Sequence, residues 1–131
     1  MTVALDPAAF TTWLEGYKAA WEARDPDAAA ALFTDDATYR EMPYAPAFAG
    51  CEAIHGYWAK VTSGQKDVTF TYEVIACAGN EGVCQWHAAF TAVPGGEAID
   101  LDGIFRCRFA APGKVGTFEE WWHIQVVPAA A

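Results

Sequence analysis

An α+β fold, with helices packed on one face of an antiparallel sheet, is predicted for this chain by three features of its pattern. Up to Gly64, apolar residues recur at helical spacing; from Asp67 onward the period is two and stays two. Gly79-Asn80-Glu81-Gly82, Pro94-Gly95-Gly96 and Ala111-Pro112-Gly113-Lys114 then cut the second half into strands joined by hairpin turns. Helices first and a meander after them is the order of an α+β domain. At 131 residues the chain fits one domain, 1–131, large enough for a real core and too small for two.

Asp6-Pro7 starts the first helix, with Asp as N-cap and Pro at the first helical position. Leu5 and Phe10 stand where a hydrophobic staple would place them. Phe10, Trp13, Leu14, Tyr17 and Trp21 form one apolar stripe. Asp25-Pro26 repeats the device and opens a short Ala-rich helix from Asp27 to about Phe33. DATYRE then reads as an extended segment that breaks into a Pro-rich turn at Pro43 and Pro46. Cys51, Ile54, Tyr57, Trp58 and Val61 mark a third helix, weakened by Gly56 and ended at Thr62-Ser63-Gly64. VTFTYEVIAC, VCQWHAAFTAV, AIDLDGIFRCRF and VGTFEEWWHIQVV are the four strands.

Alternation sorts the strand residues into two faces. Leu101, Gly103, Phe105 and Cys107 oppose Asp100, Asp102, Arg106 and Arg108; Cys84, Trp86, Ala88 and Phe90 oppose Gln85, His87 and Thr91. Phe118, Glu120 and Trp122 oppose Glu119, Trp121 and His123. The apolar sets form the inner face, which also receives Tyr39 and Glu41 from the DATYRE segment. Two carboxylates therefore point inward, Glu41 and, with a weaker case, Glu120, which a β-bulge in EEWWH would turn outward. An inward carboxylate is costly to bury and needs a reason.

Composition narrows the function. Aromatic residues are 15% of the chain, with six Trp, five Tyr and eight Phe, more than a minimal core of this size requires. Some of them are expected to line a cavity. A net charge of −9 argues against nucleic acid or an anionic membrane as partner. No apolar stretch is long enough to span a bilayer, and MTVALDPAAF has no basic region or cleavage pattern, so a cytoplasmic location is expected. His55, His87 and His123 lack HxH or HxxxH spacing, and Cys51, Cys77, Cys84 and Cys107 lack metal-type spacing; no metal site is expected. Cys77 and Cys84 could face each other across a hairpin, but free thiols are favoured in a reducing compartment. Asp100 and Asp102 read as solvated or turn-forming acids.

The segments YKAAWEARDPDAAAALFTDDATYRE, GCEAIHGYW and FRCRFAAPGKVGTFEEWW carry a resemblance to the nuclear transport factor 2-like superfamily. Within it the chain looks most like the SnoaL-like and ketosteroid isomerase branch, from about Phe10 to Ile124. The resemblance implies a cone-like roll whose curved sheet and three helices enclose an apolar pocket. It puts the oxyanion-supporting tyrosine on Tyr17 and the carboxylate base on Glu41, where the isomerases have Asp. Pocket aromatics fall on Trp58 and Trp122. The protonated acid that partners the tyrosine falls on Phe105, so half the oxyanion hole is missing. Such a donor is worth about 3 kcal/mol of transition-state stabilisation, which speaks against steroid isomerisation as such.

Two functions follow as expectations. One is a cofactor-free isomerase, cyclase or lyase acting by proton transfer on a small cyclic or carbonyl compound. Glu41 would be its base, Tyr17 its hydrogen-bond donor and Glu120 a second acid, with Trp21, Tyr39, Trp58, Trp86, Phe90, Phe105 and Trp122 holding the ligand. The other is a non-catalytic small-molecule binder or protein-interaction module, in which Glu41 is an orienting group or a strand-end residue paired with Arg40, Lys60 or solvent. Trp121, His87 and His123 on the outer face, with the habit of the superfamily, imply a homodimer through that face.

Overall fold

The computed structural model describes residues 4–129; the first three residues of the stretch read for a leader, and the last two of the expected 1–131 domain, lie outside it. Helix α1 (Pro7–Glu22) starts where the Asp6 carboxylate accepts from the Ala9 N–H at 2.7 Å. Its buried face is Phe10, Trp13, Leu14, Tyr17, Ala20 and Trp21, the predicted stripe with Ala20 added. Leu5 packs half-buried against the same core. Helix α2 (Pro26–Ala30) repeats the cap, Asp25 accepting from the Ala28 N–H at 3.1 Å. It ends before the predicted Phe33, because that residue opens β1 (Phe33–Arg40) and pairs with Val115 far along the chain. Tertiary pairing overrides the helix propensity of the alanines.

The remaining elements are β2 (Phe48–Ala49), α3 (Cys51–Ser63), β3 (Gln65–Ala78), β4 (Glu81–Ala92), β5 (Ala98–Ala111) and β6 (Lys114–Val127). They form one six-stranded sheet in the order β2-β1-β6-β5-β4-β3. β3 to β6 make the antiparallel meander that the period-two pattern predicts. β1 adds to β6 in parallel, so the sheet as a whole is mixed rather than antiparallel throughout. The Pro-rich turn also contains more order than expected: β2 folds back on β1, pairing Phe48 with Tyr39 and Ala49 with Thr38.

Helices α1 and α3 cover the inner face, α1 lying over β3 and α3 against β1. The register pairs Phe105 with Glu120 and Cys107 with Phe118, and it aligns Trp86, Gly103 and Trp122 in one inward row. Glycine at the centre of that row is required. A Cβ on Gly103 would collide with the Trp121 carbonyl oxygen and the Trp122 Cβ.

The outer face carries His87, whose Nε2 stands 2.5 Å from Asp100 Oδ1, while the Asp100 side chain stays about half exposed. His123 is exposed across from Asp102, and His55 ties α3 to α2 through Asp27 at 2.7 Å. Cys77 stands opposite Gly82 and Cys84 opposite Val74, so the two thiols are not cross-strand partners; all four cysteines are free. No helix among the described residues is long and apolar enough to cross a membrane.

Candidate functional site

Between the helices and the inner sheet face lies a cavity of about 170 Å³. Tyr17 and Trp21 enter it from α1, Tyr57, Trp58 and Val61 from α3, and Tyr39 from β1. The meander supplies Trp86, Phe90, Leu101, Glu120 and Trp122, with Ile124 at the open end. Beyond the mouth, Glu41, Tyr57 and Val61 also border a wider groove reaching Phe48 and Lys60.

Glu120 is the deep polar group. It is 5% exposed, in the middle of a strand whose pairing with β5 is regular from Ala98 to Arg108, so no bulge turns it outward. Its Oε2 accepts from the Tyr39 hydroxyl at 3.0 Å, and that hydroxyl lies 3.4 Å from the hydroxyl of Tyr17. Burial pushes the Glu120 carboxyl up to about 8; the Tyr39 hydrogen bond opposes this and the charge of Glu41 adds to it. The phenols of Tyr17 and Tyr39 are raised well above their ordinary range by burial first and by the Glu120 charge second. Burial thus biases the deep cluster toward its protonated forms.

Glu41 sits just past the end of β1, half-buried at the rim. Its Oε2 accepts from the Tyr57 hydroxyl at 2.9 Å, while its backbone carbonyl accepts from Trp122 Nε1 at 2.8 Å. The indole bond pins the strand end and fixes where this carboxylate begins its reach. Tyr57 is shifted upward by burial, then by the charges of Glu120 and Glu41, so both acids bear on one phenol. The two carboxylates share one cavity in opposite settings, one dry and one at the mouth.

Of the residues singled out from sequence, Tyr17, Glu41, Glu120, Trp21, Tyr39, Trp58, Trp86, Phe90 and Trp122 meet at this cavity. Phe105 does not. It is wholly buried beneath the wall, 4.8 Å from Phe118 and 5.3 Å from Tyr17 between ring centroids, and belongs to the core. Its cross-strand partner is Glu120, so an acid stands beside the tyrosine pair from β6 although β5 carries none there. Gln65 and Tyr57 were not foreseen as site residues. Gln65 is a buried polar residue whose Oε1 accepts from Trp21 Nε1 at 2.8 Å, with no signal in the local pattern. Tyr57 did carry one: it lies in the Ile54, Trp58, Val61 stripe, yet is a tyrosine. Among the described residues no group of three or more His, Cys, Asp or Glu is arranged to hold a metal ion.

The SnoaL-like domain family profile matches residues 14–116. Comparison with curated protein sequences finds none that matches. Among solved structures, the chain is similar to the epoxide hydrolase/cyclase-like enzyme SalBIII, described for pyran ring formation in the polyether salinomycin. That likeness has 19% identity and a TM-score of 0.80, over 92% of this chain and 98% of that one. A protein from Mycobacterium tuberculosis matches with 15% identity and a TM-score of 0.79, over 93% and 98%. A computationally designed 17-OHP binder matches with 17% identity and a TM-score of 0.78, over 90% and 98%. At these identities the likeness is one of fold.

Proposed function

This chain belongs to the SnoaL-like domain family, and from that premise and the geometry of its cavity we propose that it binds a small cyclic or carbonyl-containing molecule and moves a proton on it without a cofactor. The observation that carries this reading is the pair of unlike carboxylates on one aromatic cavity, Glu120 dry and Glu41 at the rim. Environments that hold two acids in different protonation states divide the roles of acid and base between them.

In this reading Glu41 takes a proton from the carbon next to a carbonyl. The electron pair left behind moves onto the carbonyl oxygen, and Glu120, with Oε2 held by Tyr39, donates from its other oxygen to that developing enolate. Tyr17 acts through Tyr39, polarising the hydroxyl that holds Glu120. Return of the proton to the same or another carbon closes an exchange or an isomerisation; ring closure or loss of a leaving group from the enolate gives a cyclase or lyase. The wall of Trp21, Trp58, Trp86 and Trp122 excludes water and binds the ring.

A non-catalytic binder is the second reading. It is favoured by the hold of Tyr57 on Glu41, which occupies one carboxylate oxygen, and by the likeness to a designed small-molecule binder. Exchange of α-protons of cyclic ketones in D2O, followed by proton NMR, separates the two. Exchange above the buffer rate that is lost in both Glu41→Gln and Glu120→Gln supports catalysis. Ligand binding without exchange overturns it in favour of the binder.

The same reading includes a homodimer through the outer sheet face. Ile104 and Trp121, paired across β5 and β6, are 41% and 44% exposed there. Sedimentation equilibrium of wild type and Trp121→Lys tests this: a dimer converted to monomer is expected, and a monomeric wild type would contradict it.

A further inference from the structure

The inner face of the sheet does not stop at the cavity. On that face the register aligns Ala88, Leu101 and Ile124 in one row and Phe90, Ile99 and Val126 in the next. Phe90, Leu101 and Ile124 line the cavity. Ile99 and Val126 carry the same surface outward, toward the start of β5 and the end of β6. Alternation sends the polar neighbours Asp100, Asp102, His123 and Gln125 to the opposite face. The result is a ledge at the cavity mouth whose side chains are all apolar.

Nothing in the described chain covers this ledge. Ile124 is 52% and Val126 53% exposed, although both stand on the face that holds the core. The helices are committed elsewhere, α1 over β3 and α3 against β1. The chain after β6 does not fold back over the ledge: Ala129 lies beside the β4–β5 turn, 3.4 Å from where a Cβ on Gly96 would stand. Leaving such side chains in water forfeits the gain of burying them, and contiguous exposed apolar surface marks a contact site.

The position of the ledge says what covers it. Phe90 and Ile124 belong to ledge and cavity alike, so a body seated in the cavity already touches the ledge. A second copy is drawn to the opposite face, where Ile104 and Trp121 are exposed. The groove on the far side of the mouth is bordered by Glu41 and Lys60, which makes it the poorer path for a hydrocarbon. We propose that the ligand is a cyclic carbonyl compound carrying an aliphatic arm, with the ring in the cavity and the arm laid along Ile124, Ile99 and Val126. This deepens the cavity-binding reading given above and rests on it. The cavity volume of about 170 Å³ suits the ring alone, so the arm leaves through the mouth. At ~3.3 Å per residue, the step from Ile124 to Val126 adds about 7 Å of apolar track.

Cyclohexanones bearing a methyl, propyl or pentyl group on the carbon opposite the carbonyl test it. Each is titrated into wild type and Val126→Asp, followed by proton–nitrogen correlation NMR. In wild type, affinity is expected to rise about twofold per added methylene, the gain of a methylene covered on one side only. The pentyl probe should shift the backbone amides of Ile99 and Val126, which the methyl probe leaves in place. In Val126→Asp the rise should flatten while the methyl probe binds as before. Affinity that does not grow with the arm overturns the inference, as does growth that Val126→Asp leaves intact or shifts that gather at Gly56 and Lys60 instead. The cavity-binding reading survives those results wherever the methyl probe moves the cavity indoles. Self-association of wild type that Val126→Asp abolishes, read by sedimentation equilibrium, puts a second copy on the ledge and also overturns the inference. If Val126→Asp does not fold, the wild-type series and its shift map decide. Failure of every probe to move any cavity resonance overturns the cavity-binding reading, and the inference with it.

Discussion

Tyr39 donates its hydroxyl proton to Glu120 Oε2 at 3.0 Å, joining β1 to β6 two residues beyond the pairing of Tyr39 with Phe118. The bond favours the ionised form of Glu120, whereas burial favours the neutral form. Burial wins, which leaves the carboxyl near 8. The same ring stacks on Phe118 at 4.3 Å between centroids, so packing sets the position of the donor.

Stability should fall with rising pH because of this group. Between its ordinary value of 4.5 and its folded value of about 8, the folded protein holds a proton that the unfolded chain has lost. The contribution of Glu120 thus worsens across that window and stays at its worst above it, by roughly 4–5 kcal/mol at the limit. Glu120→Gln removes the dependence while keeping an acceptor for Tyr39. In urea denaturation the variant should match wild type near pH 5 and exceed it near pH 9; a gap that is constant or reversed would contradict the assignment.

Tyr39→Phe should act in the other direction on the acid. Losing the donor removes the one influence that lowers Glu120, so its titration should move further up. The stability cost should be about 1–3 kcal/mol where Glu120 is ionised and smaller where it is neutral. Carboxyl titration and urea midpoints at two pH values read both effects.

Glu41→Gln removes the negative charge that helps to raise Glu120, so the Glu120 midpoint should fall. α-Proton exchange should drop by about a hundredfold or more, the usual contribution of a positioned general base. Ligand affinity, read by the same NMR titrations, should change little.

Gly103→Ala should cost about 2–3 kcal/mol, because the added methyl meets backbone and Cβ atoms that have no free torsion to relieve it. It should also disturb Trp86 and Trp122 on either side. Urea denaturation checks the first effect and indole NMR the second.

The parts of this fold that were legible in the sequence are those set by local rules. Asp6-Pro7 and Asp25-Pro26 announce their helices, and the hairpin turns and alternation announce four strands and their inner faces. What was not legible depends on distant partners. α2 stops early because Phe33 pairs with Val115, β1 lies parallel to β6, and two residues of β2 give no period to read. At the site, alternation puts Glu41 and Glu120 on one face but says nothing of depth. Glu120, flanked by Phe118 and Trp122 in mid-strand, ends deeper than Glu41, which stands where the strand opens to the rim. Phe105 shares the inner face yet is sealed under the cavity, a distinction that belongs to the third dimension.

The most direct measurement is the titration of the Glu120 carboxyl carbon by NMR, with Glu120→Gln identifying its resonance. A midpoint near 8 is expected, with Tyr39 resonances moving in step. A midpoint near 4.5, the ordinary glutamate value, would mean that water reaches the carboxylate and that the dry acid at the centre of the site does not exist.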